Sequence, residues 1–417
     1  MFYMRCKTFF QHRHALLATS FTKTYATACQ NKMKRMTWRP ASNQFNIGKE
    51  SFQQHSAQTS SHVVFLVSGL FGSPRDWEKM REVLQEMQDK EILVHVSQAN
   101  QLHRTFDGID VCGSRLADEM KEVISQHPNL KRISLVGHSM GGLMLRYAAA
   151  ILYDPTSRKI CALQPAHFIS ISTPHLGCLA SRETQVPFIR WTGPFSSLLD
   201  YISAPTASLL FSRTGSQFFL ADSASTTSSH STTPLLFQMS EDNEETGLHF
   251  FSALESFKSR TAYANTGWDH LVSWANSSLR FRHELPKDIP QVDQEVLIIH
   301  DDISTAFQST VSKPSTEEHQ SYQQEKYQVS LSKGEDASPA EHSGMVHKIL
   351  SRLQKLPWRR VDVVFQDSPI LAITAHNHIQ ARYHWISGGG VKVAQHLAEQ
   401  LLLLDKYQAG VEKQQPT

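Results

Sequence analysis

The sequence predicts an α/β fold, a mostly parallel sheet with helices on both faces and an inserted cap. Three features carry that expectation: short apolar runs, amphipathic stretches spaced between them, and a lapse of this alternation from Pro174 to Lys258. His62-Val-Val-Phe-Leu-Val-Ser68, ending at Gly69, has the unbroken apolar character of a strand covered on both sides. Arg75 to Gln88 follows with Trp77, Met80, Val83, Leu84 and Met87 at helical spacing. Glu91 to Val96 reads as a second strand, and Ile109 to Gln126 as a second helix with Leu116, Met120 and Val123 on one side. Ile133–Val136, Gly142–Leu152 and His167–Ser172 continue as strand, helix and strand. After the lapse the sheet resumes at Thr261–Asn265 and ends at Trp358–Phe365, and a helix over Val391–Leu404 closes the domain. Such alternation implies βαβ units with right-handed crossovers, which gather reactive groups at the carboxyl ends of the strands.

The expected domain spans residues 62–404, with a cap at about 175–258, a polar insertion at about 301–342 and a tail over 405–417. Ser223 to Thr233 is a Ser/Thr tract that reads as a solvated loop inside the cap. Residues 1–61 form a basic leader. Up to Lys49 it holds no Asp or Glu but nine Lys and Arg, so the net charge of +2 leaves the remainder acidic by about seven. That composition resembles a mitochondrial or plastid transit peptide; without that address, the cytoplasm or a lipid-droplet surface is expected. Basic residues confined to the leader disfavour nucleic-acid binding. The five cysteines are irregularly spaced and form no Cys-x-x-Cys pair, which disfavours a disulfide framework and a cysteine-based zinc site. No metal site or phosphate loop stands out and no cofactor is expected. No run approaches the ~18 apolar residues of a membrane span, so membrane contact would be peripheral.

The chemistry concentrates at Gly137-His-Ser139-Met-Gly141, a Gly-x-Ser-x-Gly pattern between a buried strand and a helix start. A serine on so tight a turn needs a strained backbone and small neighbours two residues away, and the following helix N-terminus favours developing negative charge. Ser139 is the expected nucleophile of an α/β-hydrolase. Its hydroxyl needs a base and an oxyanion site. The backbone N–H of Met140 and that of Leu70, in the loop Ser68-Gly-Leu-Phe-Gly72, are the candidate donors. The triad order of this fold class, Ser then acid then His, leaves Asp269, Asp301, Asp302 and Asp367 as acids and His376, His378 and His384 as bases. Asp269, just past Asn265, and His376, soon after the last strand, are preferred by placement. Apolar pieces of the cap, with Phe188, Trp191, Leu209 and Phe211, would line an acyl cleft.

These residues resemble the family known as the putative serine esterases of plants and fungi, which include lipase-like proteins of yeast lipid droplets. The shared pieces are Val63–Gly72, Thr105-Phe-Asp-Gly-Ile109 with Gly113–Glu119, Gly137–Gly142 and Ser172-Thr-Pro-His-Leu-Gly177. Phe211-Ser-Arg-Thr-Gly215, Ala262–Asn265 with Asp269 and Val272, and Ala375-His-Asn-His-Ile379 complete the set in order. The resemblance covers about residues 62–300 and 345–404. It implies an esterase or lipase acting through Ser139, Asp269 and His376 on acylglycerols or phospholipids, at a membrane or lipid-droplet surface. It gives Thr105–Ile109 no role. Ser68 stands where the family has a histidine, which puts the support of the oxyanion loop in question. An acyltransferase or thioesterase would use the same triad, and a non-catalytic lipid-surface scaffold would keep the fold without turnover.

Overall fold

Among the described residues seven strands hydrogen-bond into one sheet: β1 (His62–Val67), β2 (Ile92–Val96), β3 (Arg132–His138), β4 (Gln164–Ile171), β5 (Ser259–Asn265), β6 (Val296–Ile299) and β7 (Arg359–Phe365). Their order is β6-β7-β5-β4-β3-β1-β2, and every pairing is parallel except β6 with β7. The structure, a computed structural model, describes residues 60–86, 92–178, 211–222, 233–288, 296–299, 339–365, 371–382 and 388–412, all within the unit His55–Thr417.

The apolar runs are strands because both sheet faces are covered. Val63, Phe65 and Val67 of β1 belong to one buried cluster and Val64 and Leu66 to the other. The first cluster is completed by α2 (Ile109–Ser125) and α3 (Met140–Leu152). The second is completed by α1 (Glu78–Glu86), reached through the 3-10 turn Pro74–Trp77. Between β4 and β5, described segments of the insertion pack on the first cluster through Phe218, Leu220, Leu236, Met239 and the helix α4 (Phe250–Glu255). No described helix is long and apolar enough to cross a membrane.

The sequence reading missed three elements. Val296-Leu-Ile-Ile299 forms β6, the antiparallel edge strand. Helix α5 (Pro339–Leu353) overlaps the end of the expected polar insertion and buries Val346, Ile349, Leu350 and Leu353. Helix α6 (Leu371–His378) replaces the loop expected around His376. The closing helix α7 (Gly389–Glu412) runs into the expected tail and adds Val393, Ala394, Leu397 and Leu401 to the second cluster.

Register sets what leaves the sheet where. Val67 pairs with Gly137, His138 with Ile171, and Val363 with Asn265. Ser68, Ser139, Ser172 and the loop after Asn265 therefore emerge along one rim, at the carboxyl ends of adjoining parallel strands. This is the architecture of an α/β-hydrolase.

Candidate active site

Ser139 joins β3 directly to α3 with φ 53° and ψ −129°, a conformation that costs a non-glycine residue on the order of 1–3 kcal/mol. The turn is held from both sides. Ser139 N–H donates to the Ile171 carbonyl at 2.8 Å, and Gly142 N–H to the Ser139 carbonyl at 3.2 Å. The glycines at the spacing of two are obligatory: a Cβ on Gly137 would stand 2.5 Å from the Gly142 nitrogen, and one on Gly141 2.2 Å from the Val67 oxygen. Ser139 itself is half-buried, accessible from the rim.

The loop after β1 backs onto this turn. A Cβ on Gly69 would lie 2.6 Å from Ser139 Cβ and 3.0 Å from the Met140 nitrogen, so the loop bearing Leu70 lies directly against the turn from Ser139 into α3. Ser68 donates its hydroxyl to the Ser73 carbonyl at 3.0 Å and so braces the loop. Asp76 accepts from the Ser73 amide at 2.8 Å and pairs with Arg382 at 3.0 Å. Gly69→Ala is expected to lower kcat about 100-fold or more by displacing the Leu70 amide, a candidate oxyanion donor. Initial rates on a soluble ester, taken per folded molecule, check this, beside a thermal midpoint lowered by the overpacked Cβ.

Asp269 and His376 are brought together. His376 Nδ1 lies 3.0 and 3.1 Å from the two Asp269 oxygens, and both side chains are buried. Oδ1 of Asp269 also accepts from the amides of Leu271 (3.0 Å) and Val272 (2.9 Å), and Oδ2 from Asn265 Nδ2 (3.0 Å). Burial alone would raise this carboxyl's pKa. The adjacent His376 and the donors from Val272 and Asn265 overcome it and hold the pKa at about 2. The carboxylate fixes Nδ1 as the protonated nitrogen and leaves Nε2 as the ring's acceptor. His378 is fully buried, with its ring 5.0 Å from that of Phe365. Two residues on a helix point about 200° apart, so only one of the pair can face Asp269. Of the other candidates, Asp301, Asp302, Asp367 and His384 lie outside the described residues.

His138 links this pair to Ser139. Its ring Nε2 donates to the His376 carbonyl at 2.6 Å, and the two rings stand 4.8 Å apart. Among the described residues the Ser139 hydroxyl makes no hydrogen bond, including to His376. Catalytic contacts are often long in ligand-free sites and tighten with substrate. Sequence reasoning missed His138, Asn265 and Arg382. Asn265 stood in a quoted motif, but nothing in one sequence marks it as the ligand of Asp269.

Both buried groups make stability fall in acid. Burial and the neighbouring His376 lower the pKa of His138 from 6.5 to about 3, so the folded state resists a proton that the unfolded chain accepts below pH 6.5. Asp269, lowered from 3.8 to about 2, adds a loss as pH falls from about 4. Thermal unfolding across pH is expected to show a midpoint that declines from about pH 6.5 downwards. His138→Gln should reduce the decline between 6.5 and 4 without abolishing it, because burial also holds the His175 imidazole well below its ordinary pKa.

Of the expected acyl-cleft residues, Phe188, Trp191 and Leu209 lie outside the described residues. Phe211 begins a helical segment, 211–218, and meets Phe71 and Phe106 edge-on at 6.1 and 5.7 Å, while Phe71 and Phe106 are 4.7 Å apart. Among the described residues no cluster of three or more His, Cys, Asp or Glu could hold a metal ion.

The family described as putative serine esterase (DUF676) matches residues 57–279, more than half of the chain and inclusive of Ser139 and Asp269. The chain belongs to this family. Among curated relatives, the putative lipase C4A8.10 of Schizosaccharomyces pombe is 26% identical over 230 residues, 53% of this chain and 26% of that protein. The putative lipase ROG1 of Saccharomyces cerevisiae is 25% identical over 229 residues, 54% of this chain and 29% of that protein. The match thus spans between a quarter and a third of each of these relatives. A solved lipase-esterase related protein from Clostridium acetobutylicum is 13% identical, covering 53% of this chain and 80% of its own, with a TM-score of 0.28.

Proposed function

We propose that this serine esterase family member hydrolyses lipid esters through Ser139, His376 and Asp269. The observation that carries the proposal is the buried Asp269–His376 pair, seated on the same sheet rim as the strained Ser139 turn. Ser139 Oγ attacks the ester carbonyl as its proton passes to His376 Nε2. The amides of Leu70 and Met140 face the oxyanion. His376 then returns the proton to the departing alkoxide, leaving an acyl group on Ser139. A water attacks that acyl carbon, its proton passing through His376 to Ser139 Oγ as the carboxylic acid leaves. Asp269 stays ionised throughout and stabilises the imidazolium.

The lipid assignment draws support from the apolar rim. Among the described residues, the exposed large hydrophobic side chains are Phe71 (49%), Leu102 (56%), Trp268 (36%) and Leu271 (58%). Phe71 follows β1, Leu102 follows β2, and Trp268 and Leu271 flank Asp269 after β5, so all four stand at the end of the sheet that carries Ser139. Exposed apolar residues gathered at one site suit contact with acyl chains or a lipid surface. Curated relatives named as lipases point the same way.

The test is a series of p-nitrophenyl esters from acetate to palmitate in mixed micelles, with Ser139→Ala beside the parent. Turnover is expected to rise with chain length and to vanish in the variant. Equal rates in the two proteins would sink the assignment of Ser139. A flat or falling dependence on chain length would sink the lipid assignment.

A further inference from the structure

The structure assigns Thr105 as a positioning residue that locks the oxyanion loop to segment 211–217 of the insertion, an inference that rests on the hydrolase reading above. Thr105 opens Thr-Phe-Asp-Gly-Ile109, the motif to which sequence and resemblance gave no task. It is fully buried although Leu102, His103 and Arg104 before it are exposed. Its hydroxyl is used in both directions: it accepts from the Phe71 amide at 3.2 Å and donates to the Leu102 carbonyl at 2.5 Å. Leu102 in turn donates its amide to the Gly72 carbonyl at 3.1 Å, and Gly72 closes the turn by donating to Gly69 at 3.0 Å. The loop 69–72 is therefore tied to Thr105 directly at Phe71 and, through Leu102, at Gly72.

Two consequences follow for the oxyanion site. The Phe71 amide is engaged by Thr105, so it cannot serve a substrate oxygen, and the Leu70 amide is left for that role. Phe71 is also held at φ 55°, a left-handed backbone that a bulky residue keeps only when its surroundings enforce it. The Thr105 hydroxyl is the side-chain group that holds that amide.

The other side of Thr105 faces the insertion. Its carbonyl accepts from the Thr214 hydroxyl at 2.7 Å, and the same Thr214 oxygen accepts from the Gly108 amide at 3.0 Å. Gln217 accepts from the Ile109 amide at 2.6 Å and donates to Asp110 at 2.9 Å, while Arg213 pairs with Asp110. Thr214 and Gln217 are buried. Two motifs about a hundred residues apart thus form one hydrogen-bonded clamp, and the loop bearing Leu70 is its third member. A shift of segment 211–217 would reach the oxyanion amide through Thr105.

The experiment compares Thr105→Val, which keeps the shape and removes the hydroxyl, with Thr105→Ser, which keeps the hydroxyl, in the full chain. Rates on a soluble p-nitrophenyl ester are divided by active sites counted from the end-point of fluorophosphonate labelling. Thr105→Val is expected to lower kcat per active site 10- to 100-fold with KM within twofold, and Thr105→Ser to recover it to within threefold. A role in folding alone would lower the thermal midpoint and the number of active sites and leave kcat per site unchanged; that result overturns the proposal. Thr214→Val tests the clamp from its far side and stands in should Thr105→Val not fold. A three- to tenfold loss of kcat per site supports the proposal, and an unchanged value overturns it. A parent protein that neither labels nor turns over would refute the hydrolase reading instead, so the two failures are distinct.

Discussion

Ser139→Ala and His376→Ala are each expected to lower kcat on an ester by about 10⁶, and the double variant should be no slower than either single one. The reason is mechanical. An unassisted serine hydroxyl is a poor nucleophile near neutral pH, and a base without a nucleophile has nothing to activate, so either loss removes the acyl-enzyme route entirely. What remains is polarisation of the substrate by the amides of Leu70 and Met140 proposed for the oxyanion. Ser139 also sits in a strained backbone well, with φ 53°. Replacing its hydroxyl leaves the turn in place, because the backbone bonds from Ser139 to Ile171 and from Gly142 to Ser139 do not involve the side chain. The thermal midpoint should therefore hold while activity disappears. Steady-state kinetics of the three variants on one substrate checks both statements.

Asp269→Asn is expected to lower kcat by about 10⁴. The substitution keeps the size of the side chain, but an amide presents a donor as well as an acceptor. Asp269 already receives N–H groups from Leu271, Val272 and Asn265, so its one remaining task is to accept from His376 Nδ1. An amide NH₂ turned towards the ring favours the tautomer with Nδ1 bare and Nε2 protonated, which is the wrong form of the base. Because the parent carboxyl is held at about 2, it is ionised across the working range. Any acid limb of the activity profile above pH 4 must then come from another group.

The sheet was legible where apolar runs were long and buried on both faces, as in Val63–Val67 and Ile133–Val136. It was illegible at β6, where four apolar residues beside a long polar stretch carry too little pattern to separate a strand from a turn. Helix α6 was missed because Leu371-Ala-Ile-Thr-Ala375 is apolar without a polar face, so its period is hidden. That miss had a cost at the site. In a loop, His376 and His378 cannot be ranked by geometry, whereas on a helix they point in opposite directions and only one meets Asp269. Ser139 was readable because the chemistry of a tight strand-to-helix turn demands its flanking glycines. Thr105 was not, since a buried hydroxyl that bridges segments a hundred residues apart leaves no local trace.

The central claim is that one serine carries the acyl group. Intact mass and peptide mapping after brief exposure to a fluorophosphonate tests it most directly. The account predicts a single adduct on the peptide holding Gly137-His-Ser139-Met-Gly141, absent from Ser139→Ala and slowed in His376→Ala. An adduct on any other residue, or ester turnover that persists in Ser139→Ala with no adduct at all, would contradict it.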